Sequence, residues 1–315
     1  MTSRTTYSVA CLSGHGIGPE VMAQASRALD RVSRLHGFRI AEIHPPIGAE
    51  ALTQSGHALP GETRRVTAAA QAILVAAGNE PALAGVESEL DLQTRVDRVA
   101  YGARAHGTVT VLSPLGEAAT PGALRRAFDC ARSSRGRVAS VGGDAGWRSL
   151  LETEAARHAG VLVELEQMKT AASRLAFEPD SFDVVVTPEP YAEPLVALVA
   201  HGHRPRVAAS GRLADSGPGV FLPAHGAAED IAGQGVANPA SMLLAAALLL
   251  GEGLGERRAA ETLTGAVLHA CSNGTRTPDM VSTGMGATTR EFTDVVLSQL
   301  PGSFTNAEFY REAVA

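Results

Sequence analysis

The sequence predicts an α/β protein built on a large, mainly parallel β-sheet. Short apolar runs typical of buried strands alternate with helical patterns from the N-terminus to residue 202. After Pro239 successive helical patterns replace this alternation. A chain of 315 residues, 45% hydrophobic and 19% charged, is long enough to bury one large core or two ordinary ones.

The N-terminal unit is predicted to be a strand, a glycine turn and a helix. TYSVACL (6–12) is a short apolar strand. After a glycine-containing turn, residues 16–37 carry Pro19 and Glu20 at a helix start, then apolar residues at helical spacing. The same reasoning predicts strands at 38–43, 71–78, 137–142, 160–166 and 182–187, and helices at 59–70, 121–134, 190–202, 239–254, 256–274 and 289–300. No repeat or low-complexity tract interrupts the pattern.

Composition excludes several classes of function. A net charge of −6 and 4% aromatic residues provide neither a positive field nor stacking platforms for nucleic acid. The longest apolar run, MLLAAALLL, is too short for a membrane span, and the N-terminus lacks a signal-peptide pattern, so we expect a cytoplasmic protein. The three cysteines lie far apart and form no CxxC pair, which suggests neither a disulfide nor a zinc site.

Two glycine-rich stretches are candidate ligand loops. SGHGIGPE (13–20) places His15 among Gly14, Gly16 and Gly18, whose spacing of two differs from the GxGxxG fingerprint of dinucleotide-binding folds. By itself this stretch is more typical of a structural turn between a strand and a helix.

The second stretch, HGAAEDIAGQGVANP (225–239), precedes a wholly apolar helical run. Asn238 and Pro239 are typical of a helix N-cap and first turn, so backbone N–H groups would face a ligand. Asp230 can accept hydrogen bonds from a vicinal diol such as a ribose, and His225 can stack or donate. The alternative is an elaborate helix entry without a ligand.

The segments LSGHGIGPEV, FDVVVT and HGAAEDIAGQGVANP resemble the isopropylmalate and isocitrate dehydrogenase family of β-decarboxylating dehydrogenases, in the same order and at similar spacing over nearly the whole chain. This resemblance implies a two-domain fold with a large mixed, mainly parallel sheet and a central cleft. Residues 1–98 plus 206–315 would form a discontinuous nucleotide-binding domain, and 99–205 a central substrate and dimerisation domain. It also implies a homodimer.

The resemblance further implies that the 225–239 loop binds the adenosine half of NAD. The implied cofactor contacts are His225, Gly226, Asp230, Ile231, Asn238 and Glu80. Members that use NADP are expected to have a lysine where this chain has Asp230. A carboxylate there would repel the 2′-phosphate and accept the ribose hydroxyls, so NAD is the expected cofactor.

The chemical half of the site departs from the family pattern. Glu87 and Asp97 stand where two arginines are expected to hold the substrate, and Gly143 stands at the position of the catalytic lysine. Two cations thus become anions. We therefore expect a charge-inverted pocket, with Glu87 and Asp97 in contact with a substrate that is not a malate-like dicarboxylate.

The metal-binding positions are also altered. Glu193 and Ala197 replace two metal aspartates, while Gln167 and Lys169 occupy the helix that should carry a tyrosine and a third aspartate. Glu193 alone offers too few hard oxygen ligands for Mg²⁺, so no metal is expected. Lys169 is the only lysine among the 27 Lys and Arg residues, and its ammonium could stabilise a developing alkoxide or enolate.

Three functional hypotheses follow. The first is a divergent, metal-independent NAD-dependent oxidoreductase acting on a small hydroxy or carbonyl compound, with Lys169, Glu193 and His15 as catalytic candidates. The second is a nucleotide-binding pseudoenzyme or regulatory subunit. The third is a non-redox enzyme that has recruited the same cleft. For Lys169 and Glu193, solvent-exposed positions without a role are equally compatible with the sequence, and His15 also suits a structural turn.

Overall fold

A ten-stranded sheet organises the protein. The computed structural model describes residues 4–76, 80–101, 107–202, 206–281 and 286–301. The strands are β1 (Thr6–Leu12), β2 (Arg39–Ile43), β3 (Ala72–Val75), β4 (Leu92–Tyr101), β5 (Thr108–Pro114), β6 (Arg137–Val141), β7 (Leu162–Glu166), β8 (Val184–Val186), β9 (Arg206–Ala214) and β10 (Gly219–Pro223). Their spatial order is β2-β1-β3-β10-β9-β4-β5-β8-β6-β7.

The sheet consists of two parallel halves joined by antiparallel strands. Strands β2, β1, β3 and β10 are parallel to one another, as are β5, β8, β6 and β7. Strand β9 pairs antiparallel with β10 and β4, and β4 pairs antiparallel with β5. The prediction of a mixed, mainly parallel sheet is therefore confirmed, although the sequence pattern did not predict β4, β5, β9 or β10.

Helices cover both faces of this sheet. They are α1 (Gly18–His36), α2 (Ala49–Ser55), α3 (Gly61–Ala69), α4 (Glu80–Glu87), α5 (Thr120–Arg132), α6 (Ala145–Ala155), α7 (Met168–Phe177), α8 (Glu189–Gly202), α9 (Ala240–Leu248), α10 (Arg257–Ser272) and α11 (Thr289–Gln299). Helix α9 continues as a π-helical turn over Leu249–Gly253. No helix in the described part of the chain is long and apolar enough to span a membrane.

Strand alternation divides the core between the two faces. Val96 and Leu112 point into the largest apolar cluster, which includes the fully buried α9, whereas Val99 and Val111 point into a cluster with α7 and α8. A third cluster packs under α4 around Ile73 and Val75. The second and third clusters lie on the same face of the sheet. Between them, where β4 meets β9, the centre of that face carries polar side chains.

Helix α1 contacts both α9 and α10. The two sequence segments assigned to one discontinuous domain thus share the largest apolar cluster. The boundaries at residues 98 and 206 stay a prediction.

Two glycine-to-alanine changes should move stability in opposite directions. A Cβ at Gly253 would lie 2.8 Å from the Phe221 ring and 3.2 Å from Ala72, whereas a Cβ at Gly265 in α10 meets nothing within 4 Å. We expect Gly253→Ala to destabilise the protein by about 1–3 kcal/mol through overpacking. Gly265→Ala should stabilise it by about 0.5–1 kcal/mol through helix propensity. Chemical denaturation would measure the free energy of unfolding of both variants. The described packing would be contradicted if Gly265→Ala lost stability while Gly253→Ala did not.

Candidate functional site

The two glycine-rich stretches pack against each other. The backbone N–H of Ile17 donates to the carbonyl of Ala227 over 2.8 Å. Gly16 has a φ of +63°, and a Cβ there would overlap the Ala227 carbonyl oxygen. Only glycine satisfies both the left-handed backbone and this close approach. The turn after β1 and the 225–239 loop after β10 therefore form one continuous surface.

Side chains of the first turn reach across to the loop. The His15 Nε2 atom lies 3.0 Å from Glu229 Oε1. Glu20, in the first turn of α1, accepts a 3.4 Å hydrogen bond from the backbone N–H of Gly235 through Oε2. His15, a catalytic candidate, thus lies at the surface shared with the expected cofactor loop.

Three buried polar atoms at this surface lack a hydrogen-bond partner within the described residues. They are His225 Nε2, His15 Nδ1 and Glu20 Oε1. His225 Nδ1 lies 3.2 Å from the carbonyl oxygen of Gly226, and burial lowers the pKa of His225. Buried polar groups are rarely left unpaired, so their concentration here indicates a place for a polar ligand or ordered water.

The remaining loop residues differ in their exposure and in their contacts with the rest of the protein. Asp230 is exposed in a 3₁₀ turn, Glu229–Ile231, and its carbonyl accepts a 2.8 Å bond from the side-chain amide of Gln234. Gly226 is also exposed, and Ile231 packs partly against the largest apolar cluster. Asp230 is therefore an exposed residue whose backbone carbonyl is held by Gln234.

Asn238 stabilises the start of helix α9. Its Oδ1 accepts a 3.0 Å bond from the backbone N–H of Ala240, and its Nδ2 donates to Asp279 over 3.1 Å. Helix α9 begins at Ala240, with Pro239 at its cap, one residue later than predicted. Both Asn238 groups are engaged with protein, which favours the structural interpretation for this residue.

Ala228 has a left-handed backbone with φ of +41°, the single positive φ among the described non-glycine residues. Such local strain is concentrated at functional sites more often than elsewhere. The strained residue directly precedes the 3₁₀ turn that presents Asp230.

A cluster of four charged residues, Glu87, Arg95, Asp97 and Arg212, lies where β4 meets β9, on the face of the sheet opposite the largest apolar cluster. The antiparallel register sets Arg95 opposite Arg212 and Asp97 opposite Ser210. Arg95 Nε donates to Asp97 Oδ2 over 2.7 Å, and Arg212 forms an ion pair with Glu87 at the end of α4. Asp97 is 3% exposed. We call these four residues the charged cluster.

The two anions expected to form a charge-inverted pocket, Glu87 and Asp97, are not free, and the inversion itself stays a prediction. Each predicted anion is paired with an arginine, so the formal charges of the four residues cancel. Burial raises the pKa of Asp97, and Arg95, Ser210 and Arg212 oppose that rise. Arg95 could have been found from its spacing of two from Asp97 along a strand, but Arg212 comes from a strand that the sequence pattern did not predict.

Comparison with known proteins identifies the family of the chain. The family model for isocitrate/isopropylmalate dehydrogenase matches residues 8–100 and 102–296. The chain belongs to this family. It is 28% identical to 3-isopropylmalate dehydrogenase of Aquifex aeolicus, over 93% of this chain and 97% of the relative. It is 31% identical to the Synechococcus enzyme of the same name, over 88% of this chain and 94% of the relative. Membership of the isocitrate/isopropylmalate dehydrogenase family makes the chain a relative of oxidoreductases.

Solved structures show the same fold. A β-decarboxylating dehydrogenase from Thermococcus kodakarensis in its apo form superposes with a TM-score of 0.79 at 23% identity, covering 93% of this chain and 96% of that one. Isocitrate dehydrogenase from Methylococcus capsulatus gives 0.76 at 19% identity, over 93% and 99% of the two chains. The resemblance inferred from three short motifs is confirmed for the whole fold.

Gly143, where the resemblance leads us to expect the catalytic lysine, has no room for a side chain. Its φ is +90°, and a Cβ would overlap the Trp147 ring. That ring is held by a 2.9 Å hydrogen bond from its indole N–H to Ser140 Oγ, and Asp144 caps α6 by accepting from the Trp147 backbone N–H at 2.9 Å. The glycine is thus part of a packed turn.

The remaining catalytic candidates are not brought together. Lys169 is exposed in the first turn of α7, and Glu193 is exposed in the first half of α8. Neither forms an ion pair with another described residue. Helix α7 follows β7, the strand at one edge of the sheet. Within the described part of one chain, the structure therefore gives no contact that supports catalysis by Lys169.

The family's divalent metal does not fit the residues present. Glu193 contributes one exposed carboxylate, and the Ala197 side chain has no ligand atom. Among the described residues, three potential metal ligands lie together elsewhere, at Cys11, Glu42 and His44. Glu80, an expected cofactor contact, is the first residue of α4. Its side chain lies outside the described part of the molecule.

The packing of the glycine turn on the loop can be tested with two glycines that share a left-handed backbone. Gly37 has φ of +82° but open space around its Cβ position, whereas Gly16 meets Ala227. Gly37→Ala should cost about 1–2 kcal/mol for the backbone conformation alone. Gly16→Ala should cost about 1–3 kcal/mol more because of the clash. Equal losses in urea denaturation would show that the two loops do not pack as described.

Proposed function

We propose that this protein is an NAD-dependent oxidoreductase that acts on a small, uncharged hydroxy or carbonyl compound without a divalent metal. The observation that carries the proposal is the joint surface of the glycine turn and the 225–239 loop. There, three buried polar atoms lack partners among the described residues, and Asp230 is exposed in the same loop. This surface offers polar and apolar contacts suited to one half of a dinucleotide.

The residues of this surface fit NAD. The Asp230 carboxylate would accept hydrogen bonds from ribose hydroxyls and repel the additional phosphate of NADP. His225 Nε2 would donate to or accept from the ligand, and Ile231 offers apolar surface. Exposed Gly226 would let the ligand approach the backbone. Asn238 would act indirectly, by holding the helix entry. When bound, the nicotinamide would exchange a hydride with the substrate.

The charged cluster supports an uncharged substrate. A dicarboxylate needs cations that are free to pair with it, but Arg95 and Arg212 already pair with Asp97 and Glu87. Separating either internal pair to bind a dianion would leave a partly buried carboxylate without its partner, which is costly. A hydroxyl or carbonyl group can instead hydrogen-bond to the cluster without displacing an ion pair.

The cluster also supplies a candidate for proton transfer. Asp97 is a buried carboxyl whose pKa is raised by burial, and positioned carboxyl groups can act as general acids or bases. His15 remains the second candidate because it lies at the cofactor surface. We assign no step to a metal, since the positions that would hold it offer a single carboxylate.

Lys169 would take part only across a subunit interface. We propose a cytoplasmic homodimer in which α7 faces the partner's site. In that arrangement the exposed ammonium of Lys169 and the carboxylate of Glu193 would gain contacts that they lack in one chain. Sedimentation as a monomer at micromolar concentration would remove this role.

A nucleotide-binding protein without turnover is the second candidate. The packed Gly143–Trp147 turn favours it, because the position of the catalytic lysine is filled by an aromatic ring held in place by Ser140. This candidate shares the cofactor surface and differs in the chemistry.

The cofactor assignment predicts a specific effect at Asp230. Asp230→Ala should weaken NAD binding by about 1–3 kcal/mol through lost hydrogen bonds to the ribose, and it should narrow the preference for NAD over NADP. Calorimetric titration with both cofactors would measure this. Glu62→Ala, which removes an exposed carboxylate on α3, is the matched control and should leave both affinities unchanged. Equal NAD affinity in Asp230→Ala and the native protein would refute the assignment.

Turnover would separate the two candidates. We expect NADH formation with some members of a panel of small uncharged alcohols, unchanged by EDTA, and a poor response to malate-like diacids. Asp97→Asn should lower turnover by about 10²–10⁴-fold if Asp97 moves the proton, while NAD affinity is retained. Undiminished turnover in Asp97→Asn would reject that role. NAD binding without turnover of any panel member would favour the nucleotide-binding protein.

A further inference from the structure

Three potential metal ligands converge at the edge of the sheet where β1 and β2 pair. The parallel register sets Val9 opposite Glu42, so Cys11 near the end of β1 and His44 just after β2 lie at the same end of these strands. The Cys11 thiol sulfur, a Glu42 carboxylate oxygen and a His44 ring nitrogen all lie within 4.8 Å of one another. Residues distant in sequence thus present three different ligand atoms to one point.

The surroundings hold two of these ligands in place. The Ser26 hydroxyl on α1 donates to Glu42 Oε2, and the same oxygen lies 3.2 Å from His44 Nε2. Such hydrogen bonds orient carboxylate and imidazole ligands in metal sites. Glu42 and His44 therefore form a connected polar pair supported by a helix.

Cys11 is the unusual member of the group. The residue is 1% exposed, and its thiol forms no hydrogen bond within the described residues. The side chain of Glu42 is 16% exposed and that of His44 is 50% exposed. A cation could therefore enter past the histidine and reach an unpartnered sulfur at the bottom of the site.

We propose that Cys11, Glu42 and His44 form a binding site for a divalent transition metal, with zinc the best match. Thiolate, imidazole and carboxylate are the three ligand types that zinc uses, and three protein ligands leave a fourth position for water. Magnesium and calcium require more oxygen ligands and do not favour sulfur.

This site is separate from the charged cluster. Cys11 belongs to the largest apolar cluster, on the face of the sheet opposite Asp97. Because β1 leads directly into the glycine turn, a metal that links β1 to β2 would restrain the chain four residues before His15. Binding would convert the thiol to a metal-bound thiolate and release one proton to solvent.

Cobalt provides a direct test, because a cobalt–thiolate bond gives a charge-transfer absorption in the near ultraviolet. The full chain, stripped with a chelator and titrated with Co²⁺, should develop this band, and Zn²⁺ should remove it by competition. Cys11→Ser should abolish the band. Cys271→Ser, which alters another cysteine of 1% exposure, is the matched control and should retain it.

A surface variant keeps the test decisive if Cys11→Ser fails to fold. His44→Ala removes a half-exposed ligand and should weaken Co²⁺ and Zn²⁺ binding by about 10–100-fold or more, with circular dichroism confirming the fold. The proposal is overturned if the native chain shows no band, if the band persists in Cys11→Ser, or if His44→Ala binds both metals as tightly as the native chain. None of these outcomes depends on NAD binding or turnover.

Discussion

The antiparallel pairing of β4 with β9 is the constraint on which the rest of the structure depends. It joins two parallel half-sheets that run in opposite directions, so the strands form one continuous surface. The pairing also decides which side chains meet at the centre of that surface. A shift of one residue would send Arg95 and Asp97 into the large apolar cluster on the other face. The fold and the charged cluster therefore share one register.

The charged cluster shows how neighbouring strands neutralise carboxylates near the middle of the sheet. Carboxylates at two positions where the family pattern places arginines would be expected to create an anionic pocket. The neighbouring strand instead supplies Arg212, and β4 itself supplies Arg95, so the formal charges cancel. Partly buried charges are tolerated when they are paired, which explains why two such departures can coexist near the middle of a sheet.

The proposed cofactor surface is formed by the glycine turn after β1 and the 225–239 loop. It depends on a second close contact, between Gly16 and Ala227. It joins the turn after β1 to the loop after β10, with β3 between these strands in the sheet. His15, Glu20 and Glu229 cross the same boundary. The resulting surface retains unpaired polar atoms, whereas the turn around Gly143 is filled by Trp147. The two loop regions therefore differ in packing, since one leaves buried polar atoms without partners among the described residues and the other is closed by an aromatic ring.

The sequence by itself determined the fold class, the family and most outer elements, because strands such as TYSVACL and helices such as α1 carry their periodicity locally. It also located both glycine-rich loops. Only the tertiary structure decided which charged and metal-ligating residues lie next to each other. The pairing of Glu87 with Arg212 and the convergence of Cys11 with His44 depend on strand order and register, which arise from contacts between segments far apart in the chain. Such contacts leave no periodic signal in either segment alone.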